Sequence, residues 1–162
     1  MSSRKPLVIV DGQIEQLQAG DTLDAAQGGG TQVVLTNDES GSIVIGTPVY
    51  ADAADGVKKA KANALSTSGV IGLVADASIS AAGTGAIQLD GIFTATTGQW
   101  DTVTGGSGGL TFNTRYYLDP STAGKITSTA PTTVAQVVMP IGIAISTTEM
   151  KLTIDPTQNI LL

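Results

Sequence analysis

The chain has 162 residues, 41% hydrophobic and 4% aromatic, and its 14 acidic against 8 basic side chains leave a formal net charge of −6. It contains neither cysteine nor histidine, which removes disulfides, thiolate nucleophiles, zinc-thiolate sites and the Ser-His-Asp triad. So acidic a surface repels phosphate backbones and predicts no nucleic-acid partner.

The length suits one domain, or one domain plus an arm, able to bury roughly 70% of its unfolded surface. The apolar fraction is mostly Ala, Val, Ile and Leu interleaved with Thr, Ser and Gly, a mix that favours pleated strands and tight turns. Residues 1–30 read as an extended N-terminal arm and residues 31–162 as a compact β-barrel or sandwich body. In the arm, Leu7-Val-Ile-Val10 is an apolar strand and Asp11-Gly12 a turn dipeptide, followed by a turn of helix at Ile14 to Leu17 and a glycine hinge at Gly28 to Gly30. The run Leu7 to Val10 is far shorter than the ~18 apolar residues of a membrane span and shorter than a secretory core, predicting a soluble, unexported protein with no membrane partner. Arg4-Lys5 suits an acidic partner surface or a solvated terminus equally.

From Thr31 short β signals recur with turn punctuation. Strands are expected at Gln32 to Thr36, Ser42 to Ile45, Pro48 to Ala51 and Val57 to Ala62, the last presenting Lys58, Lys59 and Lys61 as an exposed hairpin strand. Helix over Ala51 to Leu65 competes on propensity, but Asp55-Gly56 falls where a helix tolerates it least, so a hairpin is preferred. Val70 to Ala75 reads as a strand buried on both faces, with Gly72 marking a bulge or a close backbone approach. Ala86 to Ala95 alternates as one strand. Arg115 to Leu118 and Lys125 to Thr129 form a hairpin through Asp119-Pro120 and Gly124. Val134 to Met139 and Ile141 to Ile145 flank Pro140, which must sit at a bulge or an edge. Lys151 to Ile154 alternates, and Ile160-Leu-Leu162 is expected to be packed. The spacing of roughly eight to twelve residues between strands is that of an all-β sandwich or barrel.

Reactive chemistry is scarce. A Ser-Lys nucleophile has no S-x-x-K motif to stand on. Asp52, Asp55, Asp90, Asp101 and Asp119 lie in or near loops where aspartate usually caps backbone amides. Gly105-Gly-Ser-Gly-Gly109 lacks the strand-loop-helix setting and terminal Lys of a phosphate cradle and reads as a flexible hairpin tip. Asp52-x-x-Asp55 and Asp38-Glu39 offer too few oxygens for a calcium loop. No cofactor, metal or catalytic residue is predicted, and the protein is not expected to be an enzyme. The rare bulky residues gather between Gln99 and Pro120, read as a turn and strand pair. Trp100, Phe112, Tyr116 and Tyr117 are its candidates for core closure or subunit contact, with Trp100 suiting either role equally.

The runs GTPVYADAADGVKKAKA, GVIGLVADASI, QWDTVTGGSGGL, YYLDP, GKIT and PIGIAISTTEMKL, in that order over roughly residues 46–155, resemble a β module of tailed-bacteriophage structural proteins. The opening KPLVIVDGQIEQLQAGDTL is similar to a segment of phage head and tail-fibre proteins. Arm-plus-body layout and length look most like the head decoration, or cement, proteins of siphophages, including Chi-like phages. The resemblance implies a non-enzymatic capsid decoration protein, commonly a homotrimer, on the outer surface of the virion head. It would bridge copies of the major capsid protein and stabilise the head against DNA pressure. Its capsid-binding arm would comprise Arg4, Lys5, Leu7, Val8, Ile9, Val10, Ile14 and Leu17, with the apolar strand adding to the edge of a neighbouring sheet. The same module in fibres and baseplates keeps open a tail component whose β body faces a host receptor or glycan. A tailspike-like glycosidase using Asp90 and Asp101 is a further alternative.

Overall fold

The computed structural model describes residues 30–155, 157 and 159–162 in full and residues 7–10 and 13–16 as backbone strands. Arg4, Lys5, the Asp11-Gly12 turn, Leu17 and most of the expected glycine hinge lie outside the described residues. Strands β1 (Leu7–Val10) and β2 (Gln13–Gln16) pair antiparallel, with Ile9 opposite Ile14 and Val10 opposite Gln13. Strand therefore replaces the expected turn of helix over Ile14 to Gln16. An Asp-Gly dipeptide after an apolar β run is a hairpin signal, and it outweighs the weak helix propensity that follows.

The next strands are β3 (Gln32–Asn37), β4 (Ile43–Val44), β5 (Pro48–Ala53) and β6 (Gly56–Lys59). A single helical turn, α1 (Leu65–Ser68), precedes β7 (Val70–Val74), β8 (Ser78–Ile79) and β9 (Thr84–Gln88). Five of these strands close a barrel in the order β3-β6-β5-β7-β9, sealed by a short parallel pairing of Thr36 with Gly56 and Asn37 with Val57. The β4–β8 pair adds two buried isoleucines, Ile43 and Ile79, to a core of Val49, Val57, Val74 and Ile87. The preferred hairpin over residues 48–59 is present: Asp55 takes a left-handed φ of 59° and β6 folds back on β5. Full burial of Val57 inside the barrel overrides the helix propensity of the alanines and lysines. Lys58, Lys59 and Lys61 are half-buried rather than exposed.

At Gly72 a Cβ would stand 2.5 Å from the Gln88 carbonyl oxygen, so β7 and β9 approach more closely than any side chain allows. The register between β5 and β7 also slips there, pairing Val49 with Gly72 and Tyr50 with Val70.

The remaining elements are β10 (Ile92–Thr94), α2 (Thr97–Thr104), β11 (Arg115–Leu118), β12 (Ile126–Thr127), β13 (Val137–Val138), β14 (Pro140–Ala144), β15 (Glu149–Leu152) and β16 (Ile160–Leu161). Five form a second sheet in the order β10-β15-β14-β11-β12. Pro140 sits where the β11–β14 register shifts between Tyr116 and Tyr117, the bulge its missing N–H requires. The expected hairpin joins β11 to β12, with Leu118 opposite Ile126. The single strand expected over Ala86 to Ala95 is instead two strands in two sheets, broken at Gly91, whose φ is 84°. Gln88 bridges the break, its side-chain amide donating to the carbonyls of Asp90 (2.9 Å) and Ile92 (3.0 Å).

The fold is thus all-β, with two cores. The second core lies beneath the five-stranded sheet and holds Trp100, Phe93, Tyr116, Met139, Met150 and Leu118, together with Ala60, Ala62, Val70 and Leu73 of the barrel side. The C-terminal segment departs from expectation: β16 pairs with β13, yet Ile160, Leu161 and Leu162 are 60%, 52% and 41% exposed. Two-residue pairing satisfies part of the backbone without supplying a surface to cover the side chains.

Candidate functional site

The structure separates the four aromatic candidates. Trp100 lies in α2 and is fully buried. Its indole N–H donates to the Thr148 carbonyl at 3.0 Å, and its ring meets Phe93 edge-on with centroids 5.5 Å apart. Of its two open roles, interface anchor and core cover, the geometry selects the core. Tyr116 is also buried, its hydroxyl accepting the Thr111 N–H at 3.0 Å. Tyr117 points to the other face of β11 and lines a cleft. Phe112, 71% exposed, takes no part in closing either core, because residues 111–114 form a turn ahead of β11 rather than an inward-facing strand.

Helix α2 is the element that the sequence reading missed, and it corrects the turn-and-strand reading of Gln99 to Pro120. Its signal was present. Thr96 and Gln99 form a capping box, each side chain bonding the other's backbone N–H. The following glycines are not a hairpin tip. Gly105 caps the helix in a left-handed conformation with its N–H on the Asp101 carbonyl, and Gly108 and Gly109 donate to the Asp101 carboxylate at 3.1 and 2.7 Å. Amides that could have cradled an anion are already occupied by this one.

The other loop carboxylates behave similarly. Asp90 accepts from the Thr31 N–H (2.7 Å) and hydroxyl (3.0 Å), and Asp119 from the N–H groups of Ser121 (2.6 Å) and Thr122 (2.8 Å). Of Asp90 and Asp101, the pair a glycosidase would need, Asp101 clamps the loop that follows its own helix and Asp90 ties down Thr31 at the start of the body. Asp52 forms an ion pair, 2.6 Å from the Lys58 ammonium. That hydrogen bond holds the Asp52 carboxyl below its ordinary value and lifts Lys58 above its own. Tyr50, whose hydroxyl donates to Asp52 at 3.3 Å, is raised by burial first and by the neighbouring Asp52 charge second.

A second feature invisible to sequence patterning is Asn37, fully buried at the end of β3. Its side-chain amide reaches the carbonyls of Gly41 (2.9 Å), Ile79 (3.0 Å) and Ser80 (3.0 Å), while its oxygen accepts from the Glu39 N–H (2.9 Å). It pins the loop after β3 to the β8–β9 turn.

Surface clefts of about 110, 230 and 410 Å³ lie among the described residues. None gathers paired carboxylates or a nucleophile with a base. The cleft of about 410 Å³ is lined by Arg115, Tyr117, Val138, Pro140, Thr157, Asn159 and Ile160. Among the described residues no group of three or more potential metal ligands occurs, and no helix is long and apolar enough to cross a membrane. Of the arm residues, Leu7, Val8, Ile9, Val10 and Ile14 fall in the β1–β2 ladder, which among the described residues joins no strand of the body. No protein-family model, curated protein or solved structure matches the chain.

Proposed function

We propose that this chain is a non-enzymatic capsid decoration protein, binding the outside of an expanded phage head through its N-terminal hairpin and bridging copies of the major capsid protein. The observation that carries the reading is the isolation of β1 and β2, which among the described residues pair with each other and with no other strand. A lone two-stranded hairpin is marginal in water, and one whose first strand reads Leu-Val-Ile-Val gains most by adding to another protein's sheet edge. A body whose aspartates clamp its own loops supplies a rigid carrier for such an arm. Repetition over a symmetric shell multiplies each weak contact through effective concentration. Clustering as homotrimers on the head belongs to the same proposal.

Deleting residues 2–24 tests it. The truncated body should keep its cooperative unfolding transition and lose attachment to expanded, empty heads. Undiminished saturation of heads by the truncated protein would overturn the role of the arm. Gel stoichiometry of purified particles separates locations: hundreds of copies per particle support the head, whereas a handful would assign the chain to a tail and its body to receptor or glycan contact.

A further inference from the structure

The barrel is sealed along only the C-terminal end of β3. Antiparallel ladders turn the backbone groups of alternate residues to opposite sides. The Thr31 carbonyl accepts from the Leu89 N–H (2.8 Å) and the Asn37 N–H donates to Gly83 (2.8 Å), so the odd-numbered residues face β9. The Thr36 N–H points the other way, to the Asp55 carbonyl (2.7 Å) at the tip of the β5–β6 hairpin. The seam ends there, because β6 begins at Gly56, opposite Thr36. Gln32 and Val34 therefore turn their N–H and C=O groups to a side that no described strand occupies. Val33 and Leu35 lie half-buried against the barrel core, and Val34, on the opposite face, is 69% exposed. Edge strands are normally defended by a charge, a proline or a bulge, and Gln32-Val-Val-Leu35 has none of these.

The N-terminal hairpin matches this edge. Two residues separate Val10 from Gln13, which makes them a hydrogen-bonded pair. Alternation then turns the N–H and C=O of Leu7 and Ile9 away from β2. Each edge thus offers two outward residues spaced by one, and an antiparallel match sets Leu7 opposite Val34 and Ile9 opposite Gln32. The register with Ile9 opposite Val34 would place Leu7 against Thr36, whose N–H Asp55 already holds. Pro6 ends the strand at the level where the seam begins. Leu-Val-Ile-Val is apolar at every position, so it suits an edge with apolar neighbours on both faces. Arg4 and Lys5 then fall beside the hairpin tip that carries Asp55, cation against anion.

We infer that the β3 edge is the seat of the chain's own N-terminal hairpin, with β1 adding antiparallel at Gln32 to Val34 and extending the barrel wall. The tether selects the chain's own arm over that of another copy. Residues 17–29 run from the end of β2 to Gly30, just before β3, and span about 40 Å at full extension. In the seated hairpin Gln16, paired with Leu7, lies level with Val34 and roughly 10 Å from it across two strand spacings, so the tether closes without strain. It also holds the hairpin at an effective concentration of about millimolar, which a second copy in dilute solution does not match. Seating covers two undefended edges at once, that of β3 and that of β1. The seat stands whether or not the chain binds a head; on the reading proposed above, it is where the arm rests until a sheet of the head takes β1 from it.

The test uses the full chain. Amide exchange followed by NMR should find the Gln32 and Val34 N–H groups protected. In Ile9→Pro, a change confined to the arm that removes one edge N–H, they should exchange at least about tenfold faster, while Val33 and Leu35, which face β9, keep their rates. The lack of cysteine makes a pair of introduced thiols unambiguous. Leu7→Cys with Val34→Cys should close under mild oxidation to an intramolecular disulfide in a monomer, since a hydrogen-bonded antiparallel pair sets Cα atoms about 5.5 Å apart. Leu7→Cys with Phe112→Cys, just as exposed but on the turn ahead of β11, should close at least about tenfold more slowly. Equal exchange of Gln32 and Val34 in both chains, cross-linking at 112 as fast as at 34, or a covalent dimer in place of the monomer would each overturn the seat, the last by giving the edge to the arm of a second copy. All of these readouts are taken on the free chain, so a failure to bind heads leaves them unchanged.

Discussion

The barrel and the five-stranded sheet solve the same problem with different materials. The barrel encloses only aliphatic side chains, Ile43, Val49, Val57, Val74, Ile79 and Ile87, and stations buried amides, Asn37 and Gln88, at the ends of two of its strands. The sheet has the large residues, with Trp100, Phe93, Tyr116 and two methionines gathered under one face. A core too narrow for an aromatic closes its ends by hydrogen bonds, whereas a wide, open sheet needs a bulky cover, and α2 exists to deliver Trp100 there.

Substitutions that remove one material at a time sharpen this contrast. Trp100→Ala should have the largest effect, about 3–5 kcal/mol lost in chemical denaturation, from a cavity of indole size and the loss of the indole hydrogen bond to the Thr148 carbonyl. Phe112→Ala, changing an aromatic in the same stretch but outside both cores, should stay within about 0.5 kcal/mol. Equal costs would mean that Phe112 is covered in solution. On the barrel side, Asn37→Ala removes a fully buried amide and its hydrogen bonds to the Ile79 and Ser80 carbonyls, for a loss of about 2–3 kcal/mol. If Asn37→Ala were neutral, the barrel would not depend on its amide closure.

How much of this was legible follows the same division. The barrel strands were readable because Gln32 to Thr36, the Asp55-Gly56 hairpin and Val70 to Ala75 carry their signals locally, in β-branched runs and turn residues. Pro140 announced its bulge for the same reason. Helix α2 was hidden because Thr and Gly dominate it, and only the Thr96–Gln99 capping box betrayed it. The break after Gln88 was hidden because alternation continues through it, while a left-handed glycine and a side-chain bridge redirect the chain. The role of Asn37 could not be read at all, since its acceptors at Ile79 and Ser80 lie far along the chain. Among the arm residues Leu7 to Val10 were picked out by hydropathy and Arg4 and Lys5 by charge, and the ladder of β1 and β2 adds a hairpin.

Gly72→Ala tests the close approach inside the barrel. The added methyl would meet the Gln88 carbonyl oxygen at 2.5 Å and Ile87 Cγ2 at 2.8 Å. Because the nearer atom is backbone and cannot swing aside, the strands must part, at about 1–3 kcal/mol. Gly106→Ala, with only the Thr104 hydroxyl at 3.4 Å, should be nearly silent in the same thermal melt. A silent Gly72→Ala would mean that β7 and β9 can separate without loss of the barrel.

The smallest effect belongs to the barrel's outer surface, at Asp52 and Lys58. The folded-state carboxyl of Asp52 sits below its ordinary 3.8, chiefly through the Lys58 hydrogen bond. Its contribution is therefore present above that value and disappears as pH falls through the lower, folded one. Lys58 is held above its ordinary 10.5, so its share is complete below that value and disappears as pH rises through the higher, folded one. Between these limits the pair contributes at full strength, though both groups face solvent and salt screens them. Asp52→Asn should lower the melting temperature slightly at pH 7 in low salt. The difference should shrink in 1 M salt and as the pH is lowered to 2. A difference that persisted at pH 2 would transfer the role of Asp52 from its charge to the hydrogen bond with Tyr50, which an asparagine oxygen can still accept, and the pair would then belong with Asn37 as a polar tie rather than as an ion pair.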